Sequence, residues 1–230
     1  MREREEHIRR ILDEVRERCV KAGRRPEEVR VMAVTKLHGP EAIADAYRAG
    51  IRLFGENRLQ EAASKREAFP PDAELHLIGH LQRNKARKAV ELFSCIHSVD
   101  RIPLIEALEK AWGDREGRLP VLVEVNLSGE ETKYGFRTEE EVAQALERLA
   151  ASPALEVRGF MTMAPYTDDE RVIRAVFGGL RELASRMQKA FPSLPLAELS
   201  MGMSNDYPIA IEEGSTILRL GTVLFGERAP

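Results

Sequence analysis

The chain has little that would tie it to the outside of a cell, to a membrane or to nucleic acid. Only two of its 230 residues are cysteine, Cys19 and Cys95. They lack the spacing of a disulfide framework or a paired metal motif, so a reduced, cytoplasmic protein is expected. No apolar run approaches the roughly 20 residues of a membrane span, and the N-terminus is charged rather than an apolar signal segment. A basic excess is missing too: 35 Lys and Arg stand against 38 Asp and Glu, a formal net charge of −3. A nucleic-acid surface would normally show in a clear positive balance. No P-loop or dinucleotide fingerprint occurs. No linker, low-complexity tract or shift in composition divides the chain, so 1–230 reads as a single domain, long enough for one substantial core.

What is present is a βα alternation. A first helix over 3–22 carries Ile8, Ile11, Leu12, Val15 and Cys19 at helical spacing on a charged background and stops at Gly23. Candidate strands then begin near 31, 51, 75, 95, 120, 157, 196 and 217. Between them the pattern predicts helices over about 41–49, 57–68, 82–91, 101–112, 138–150, 169–190 and 205–213. Eight parallel strands with alternating helices suit a closed α/β barrel, the (β/α)8 TIM barrel, better than an open sheet with exposed edges. Only ten residues follow Leu220, too few for a full eighth outer helix. The N-terminal helix is therefore predicted to pack where the last strand would otherwise face solvent.

Barrel sites lie at the C-terminal ends of strands. Those positions here are Lys36, Asn57, His80, Ser98 with Asp100, Asn126, Met161 with Thr162, Ser200 to Ser204, and Arg219 to Thr222. Lys36 ends the apolar run Val31-Met-Ala-Val-Thr-Lys36. It either points into water or is partly desolvated, which lowers a lysine's pKa and makes it a usable nucleophile toward a carbonyl. Gly202-Met203-Ser204 after strand seven and Gly221-Thr222 after strand eight each combine flexible backbone, exposed N–H groups and a hydroxyl. Ordinary capping explains either one alone; paired on adjacent strands they form the usual phosphate cradle of this barrel. Arg219, flanked by Leu218 and Leu220, lies on the opposite face from both. If that face is the barrel mouth, its guanidinium needs an acceptor there; if not, it snorkels between helices.

Together these residues describe a receptacle for a phosphorylated aldehyde, and pyridoxal 5′-phosphate (PLP) fits. Lys36 would form the aldimine (a Schiff base), residues 202–204 and 221–222 would hold the phosphate, and Arg219 would donate to the pyridine nitrogen. An arginine keeps its proton, so the ring would be a weaker electron sink than one paired with a carboxylate.

These pieces resemble a known family, the YggS/PROSC-type pyridoxal phosphate homeostasis proteins. The matching segments are Ala33-Val-Thr-Lys36, Phe54-Gly-Glu-Asn57 with Gln60-Glu61, His76-Leu-Ile-Gly-His-Leu-Gln-Arg-Asn-Lys85, and His97-Ser-Val-Asp100. They continue through Val125-Asn126, Lys133-Tyr-Gly135, Gly159-Phe-Met161, Leu199-Ser-Met-Gly-Met-Ser204-Asn-Asp206 and Ala210-Ile211 to Arg219-Leu-Gly-Thr222 and Phe225-Gly226, over about 8–228. The resemblance implies a barrel like the alanine racemase N-terminal domain, with no second domain. It implies PLP linked to Lys36, with Ser204, Gly221 and Thr222 on the phosphate, Met203 and Asn57 lining the site, and Arg219 at the ring nitrogen. It further implies a carrier or regulator of vitamin B6 that meets PLP-requiring apoenzymes transiently, rather than an enzyme. Arg58 stands where the family commonly has an aromatic residue, and Glu74 or Leu75 where it commonly has tryptophan; both departures touch the rim.

The alternative is a PLP-dependent amino-acid racemase. Racemisation needs acid/base groups on both faces of the substrate, and Lys36 supplies one. Two-domain racemases bring the other, a tyrosine, from a partner subunit, and here only Tyr134 and Tyr166 fall in loops able to overhang the mouth. Without a second domain to build that dimer a monomer is expected. No catalytic residue and no metal site is assigned. His76, His80 and His97 match no zinc spacing and are read as satisfied histidines, at most one of them reaching the mouth. The cluster Arg83, Lys85, Arg87 and Lys88 is read as a solvated face, with docking to an anionic partner as the alternative.

Overall fold

The eight apolar stretches become eight parallel strands, and pairing in sequence order from β1 round to β8 and back to β1 closes them into a barrel. A computed structural model describes residues 2–226; the last part of the family-like stretch, 227–228, lies outside them. The strands are β1 (Arg30–Val34), β2 (Leu53–Glu56), β3 (Glu74–Leu77), β4 (Cys95–Val99), β5 (Leu119–Glu124), β6 (Leu155–Met161), β7 (Glu198–Ser200) and β8 (Ile217–Leu220). The helices are α1 (Arg2–Lys21), α2 (Pro40–Arg48), α3 (Leu59–Ser64), α4 (Ala86–Leu92), α5 (Ile102–Trp112), α6 (Glu139–Ala150), α7 (Glu170–Ala190), α8 (Tyr207–Glu212) and α9 (Thr222–Phe225).

Local chemistry accounts for the helix boundaries. Thr138 and Glu141 form a reciprocal capping box at the start of α6, which satisfies two backbone donors that the first turn leaves open. Asp169 accepts from the Arg171 N–H at the start of α7, and Ile173, Val176, Phe177, Leu180, Leu183 and Met187 then recur on its buried face. That stripe packs on the barrel because its spacing keeps it on one side of the cylinder.

Alternation along the strands sorts side chains between two cores. Leu218 and Leu220 belong to the large core between the sheet and the helices. Ile217, by contrast, joins Met32, Leu53 and Ile78 in a separate small cluster. Register places Met32 beside Leu53 on one side and beside Arg219 on the other, so Arg219 shares the interior with this cluster.

The N-terminal helix takes the predicted place. It packs against α8, α9 and α2, and it is tied there by a Tyr207 hydroxyl donating to Glu14 at 2.8 Å and by a His7 Nε2 contact to the Val223 carbonyl at 2.8 Å. Two predicted helices are interrupted within their patterns. The 57–68 stretch divides into α3 and a 3-10 turn over 66–68, with Lys65 (φ −105°, ψ 5°) at the break. The 82–91 stretch begins as a 3-10 turn, Arg83–Lys85, before α4. Strands two and seven start about two residues later than predicted. Among the described residues no helix is long and apolar enough to cross a membrane.

Candidate functional site

All seven predicted site residues, Lys36, Asn57, Met203, Ser204, Arg219, Gly221 and Thr222, line one cavity of about 370 Å³ at the C-terminal ends of the strands. Wider recesses lie on the outer helical layer, against α1 and between α4 and α5. They contain none of these residues. Proximity of the seven follows from the barrel: β1 and β8 are hydrogen-bonded neighbours, so the loops after them share a rim.

Lys36 is half-buried in the turn after β1, and that turn is held from below. The ammonium of Lys65, reaching inward from the end of α3, donates to the carbonyls of Thr35 (2.8 Å) and His38 (3.1 Å), the residues that bracket Lys36 and Leu37. It also bonds Glu56 Oε1 at 2.8 Å and Glu61 Oε1 at 2.7 Å. The Thr35 hydroxyl donates to the same Glu56 oxygen at 2.7 Å. Burial pushes the Glu56 carboxyl up, with the Lys65 and Thr35 hydrogen bonds opposing it. Leu37 has φ +62°, a left-handed conformation costly for a branched side chain, and its N–H bonds Glu61. The fixed turn gives the Lys36 side chain a defined origin.

Arg219 is 3% exposed. Its Nη1 donates to the Ser200 hydroxyl and its Nη2 to the Thr162 carbonyl, both at 2.8 Å, so the inward orientation holds and snorkelling between helices is excluded. Burial lowers its pKa to about 10, with Asp206 and Glu124 opposing, and it stays charged at neutral pH.

The turns after β7 and β8 interlock. Ser204 does not cap the helix that follows it, which begins at Tyr207. Its Oγ accepts instead from the N–H groups of Gly221 (3.3 Å) and Val223 (3.1 Å), at the start of α9. Asp206 Oδ1 pins the Met203 N–H at 2.6 Å. Gly202, at φ +95°, makes the bend possible, because a Cβ there would lie 2.5 Å from the Cβ of Ala210.

Of the other lining residues, three bear on the chemistry. His80 bonds Asp100 through Nδ1 at 3.0 Å and stacks under Tyr134 with ring centroids 3.7 Å apart. Tyr134 therefore does overhang the mouth, whereas Tyr166 is exposed and lines a neighbouring recess. His80 is the one histidine of the three at the mouth; His76 and His97 are buried in the barrel. Asn126 is structural, donating to the Glu130 and Lys133 carbonyls within its own loop. Of the basic cluster, Arg83, Arg87 and Lys88 are exposed and Lys85 is half-buried.

The third lining residue, Glu124, is 4% exposed at the end of β5. Burial, reinforced by the Asp100 charge and opposed by Arg219 and Arg101, raises its pKa from 4.5 to about 7. Between those values the folded protein keeps a proton that the unfolded chain releases, so this group lowers stability as pH rises from 4.5 to 7 and levels off above. The pKa difference corresponds to about 3 kcal/mol. Glu124→Gln is expected to be up to that much more stable than wild type at pH 8 and equal to it near pH 4. Urea unfolding at both pH values checks this, and a constant difference would count against the assignment.

A barrel with its polar groups gathered in this way at the C-terminal mouth is a ligand-binding (β/α)8 domain. Residues 7–229 match the model of the alanine racemase N-terminal domain. Pyridoxal phosphate homeostasis proteins are similar over nearly the full length. The one from Aquifex aeolicus (strain VF5) is 39% identical, with 97% of each chain covered. The one from Synechocystis sp. is 43% identical, covering 88% of this chain and 93% of its own. The structure of PipY from Synechococcus elongatus PCC7942 with PLP bound aligns with a TM-score of 0.82 at 40% identity, covering 92% of this chain and all of that one. Alanine racemase from Corynebacterium glutamicum shares the fold, with a TM-score of 0.69 at 18% identity over 98% of this chain and 62% of its own. The chain belongs to the pyridoxal phosphate homeostasis protein family, built on the alanine racemase N-terminal domain barrel.

Proposed function

We propose that this protein binds PLP in the C-terminal mouth and serves intracellular vitamin B6 homeostasis as a cofactor carrier. The observation that carries the reading is that one cavity joins a primary amine at the end of β1, a buried guanidinium on β8, and backbone N–H groups converging on a single oxygen. Gly221 and Val223 aim their N–H groups at the Ser204 hydroxyl, so that oxygen, already accepting two bonds, keeps its own proton to donate to a phosphate. PLP supplies an aldehyde that condenses reversibly with a primary amine. Lys36 provides that amine, held by the Lys65-braced turn. Ser204, Gly221 and Thr222 bind the phosphate, while Met203 and Asn57 bound the ring. Arg219 keeps its proton and offers it to the ring nitrogen, which restrains electron withdrawal by the ring and suits storage better than turnover. The names of the relatives support the same role. We place the protein in the cytoplasm as a single-domain monomer over 1–230 that contacts PLP-requiring apoenzymes transiently.

Absorption spectra with PLP before and after borohydride reduction, followed by peptide mass mapping, test this. Wild type is expected to retain a reduced pyridoxyl group on Lys36, and Lys36→Ala to lose the visible band. Label spread over other lysines in both proteins would overturn it. The racemase reading is kept in view by Tyr134, which overhangs the mouth against His80. Exchange of the α-proton of L-alanine or L-serine into D2O would favour it, and no exchange would leave the carrier.

A further inference from the structure

Beneath the mouth, four hydrogen bonds run through the barrel interior and join Arg219 to the opposite end. Arg219 Nη1 contacts Ser200 Oγ at 2.8 Å, and Ser200 Oγ contacts His97 Nδ1 at 3.0 Å. His97 Nε2 contacts His76 Nδ1 at 2.9 Å, and His76 Nε2 contacts Glu74 Oε2 at 3.2 Å. Glu74 Oε1 in turn accepts from Arg30. Ser200 and His97 are fully buried, His76 and Arg219 nearly so.

The proton on each atom can be deduced. Arginine has no acceptor, so Arg219 donates to Ser200. Ser200 has one proton and two lone pairs, so after Arg219 it can still donate to His97 Nδ1 or accept from it; donation, the direction the Glu74 end requires, puts the His97 proton on Nε2. This Nε2–H donates to His76 Nδ1, and His76 by the same rule carries its proton on Nε2 and donates it to Glu74. The far end agrees: the His76 and Arg30 hydrogen bonds hold the Glu74 carboxyl down at about 2, so it is ionised and can only accept. Burial pushes both histidines below their ordinary range, which keeps them neutral.

We infer that Arg219→Ser200→His97→His76→Glu74 is a one-way hydrogen-bond relay, in which Ser200, His97 and His76 are positioning residues that orient Arg219 toward a ligand in the mouth. Every donor points from the mouth to the Glu74 carboxylate, so each bond polarises the next in the same sense. The guanidinium is thereby committed to donating, with its plane set by Ser200 on one side and the Thr162 carbonyl on the other. The relay also accounts for a tempting alternative. His76, Cys95 and His97 offer ligand atoms within 4.8 Å of one another, close enough for a metal. But His76 Nδ1 and His97 Nε2 already share one proton between them, a bond that a metal taking both nitrogens would have to break.

The tautomers are testable without any ligand; only the effect on PLP rests on the proposed function. Long-range 1H–15N spectra of the ligand-free protein, assigned with His76→Gln and His97→Gln, are expected to show both rings neutral with the proton on Nε2 at neutral pH, each titrating below the ordinary histidine range. A proton on Nδ1 of His97, ordinary titration near 6.5, or displacement of the shared proton by added zinc would overturn the relay. In Ser200→Ala, His97 Nδ1 is expected to lose its hydrogen-bond donor, read as a changed 15N resonance, while the Glu74 end keeps the His97 proton on Nε2. PLP affinity should fall roughly tenfold, the worth of one unsatisfied buried donor, and Ser200→Thr should restore both. A Ser200→Ala protein that unfolds earlier but keeps the His97 Nδ1 resonance and the PLP affinity would reduce Ser200 to packing and overturn the proposal. If wild type keeps the tautomers but takes up no PLP, the functional reading fails and the relay stands.

Discussion

Lys65→Met is expected to destabilise the protein by about 3–5 kcal/mol, the usual consequence of removing one partner from a buried ion pair. The Lys65 side chain is 8% exposed and that of Glu56 fully buried. Without the ammonium, Glu56 loses its ion-pair partner, while its Oε2 is already the single buried polar side-chain atom among the described residues without a hydrogen bond. The His38 carbonyl loses its Lys65 donor at the same time, and the Thr35 carbonyl is left with the His38 N–H alone. The effect therefore extends beyond stability: the turn carrying Lys36 is released, and PLP uptake is expected to slow and weaken even in the fraction that folds. Urea unfolding together with PLP titration below the transition checks both. The double variant Lys65→Met/Glu56→Gln should recover much of the stability, because no isolated charge is left buried, but not the PLP affinity, because the turn remains unbraced. A single variant within about 1 kcal/mol of wild type would mean that Lys65 is an ordinary exposed-type pair.

Gly202→Ala is the second large effect. At φ +95° an L-residue is strained, and the added Cβ would lie 2.5 Å from Ala210 Cβ and 3.0 Å from Leu218 Cδ2, both atoms of the packed core. Strain and overpacking each cost about 1–3 kcal/mol, so a loss of about 3 kcal/mol or more is expected. The site moves with it. The Gly202 carbonyl accepts the Arg219 N–H at 2.9 Å, and the next residues, Met203 and Ser204, line the cavity. PLP affinity should fall at least tenfold. Gly129→Ala is the control, since Gly129 also has positive φ (+74°) but no atom within 4 Å of the added Cβ. It should cost only the conformational part, about 1 kcal/mol, and leave PLP binding unchanged. Equal losses in the two variants would show that packing around Gly202 is not what holds the bend.

Much of the site was legible because a parallel barrel converts sequence position into spatial position. A residue at or just past the C-terminal end of a strand reaches the mouth whatever lies between it and the next strand, so Lys36, Asn57, Ser204, Arg219 and Thr222 could be gathered from their places at the strand ends. Glu124 escaped notice because it is the last residue of β5 itself, hidden in the apolar run Val121-Leu-Val-Glu-Val125; a lone acid in a strand with no room for water was the available signal. For Lys65 the signal was fainter still, an i,i+4 pairing with Glu61 that reads as an ordinary helix-surface contact.

What the sequence by itself determined is the alternation of eight strands with helices, the spare N-terminal helix, and the chemical types that stand at the strand ends. These are local properties, carried by periods of 2 and 3.6 residues and by turn residues. The tertiary structure alone decided which of those groups meet. His76 and His97 sit 21 residues apart and Ser200 a further 103 along, and only closure of the sheet with its particular register brings them into one chain under Arg219. Ser204 likewise serves the backbone of the next strand's loop rather than its own helix. The physical reason is that cross-strand neighbours are set by register and closure, which depend on the packing of every strand at once, whereas the faces of a single strand or helix depend on that segment alone.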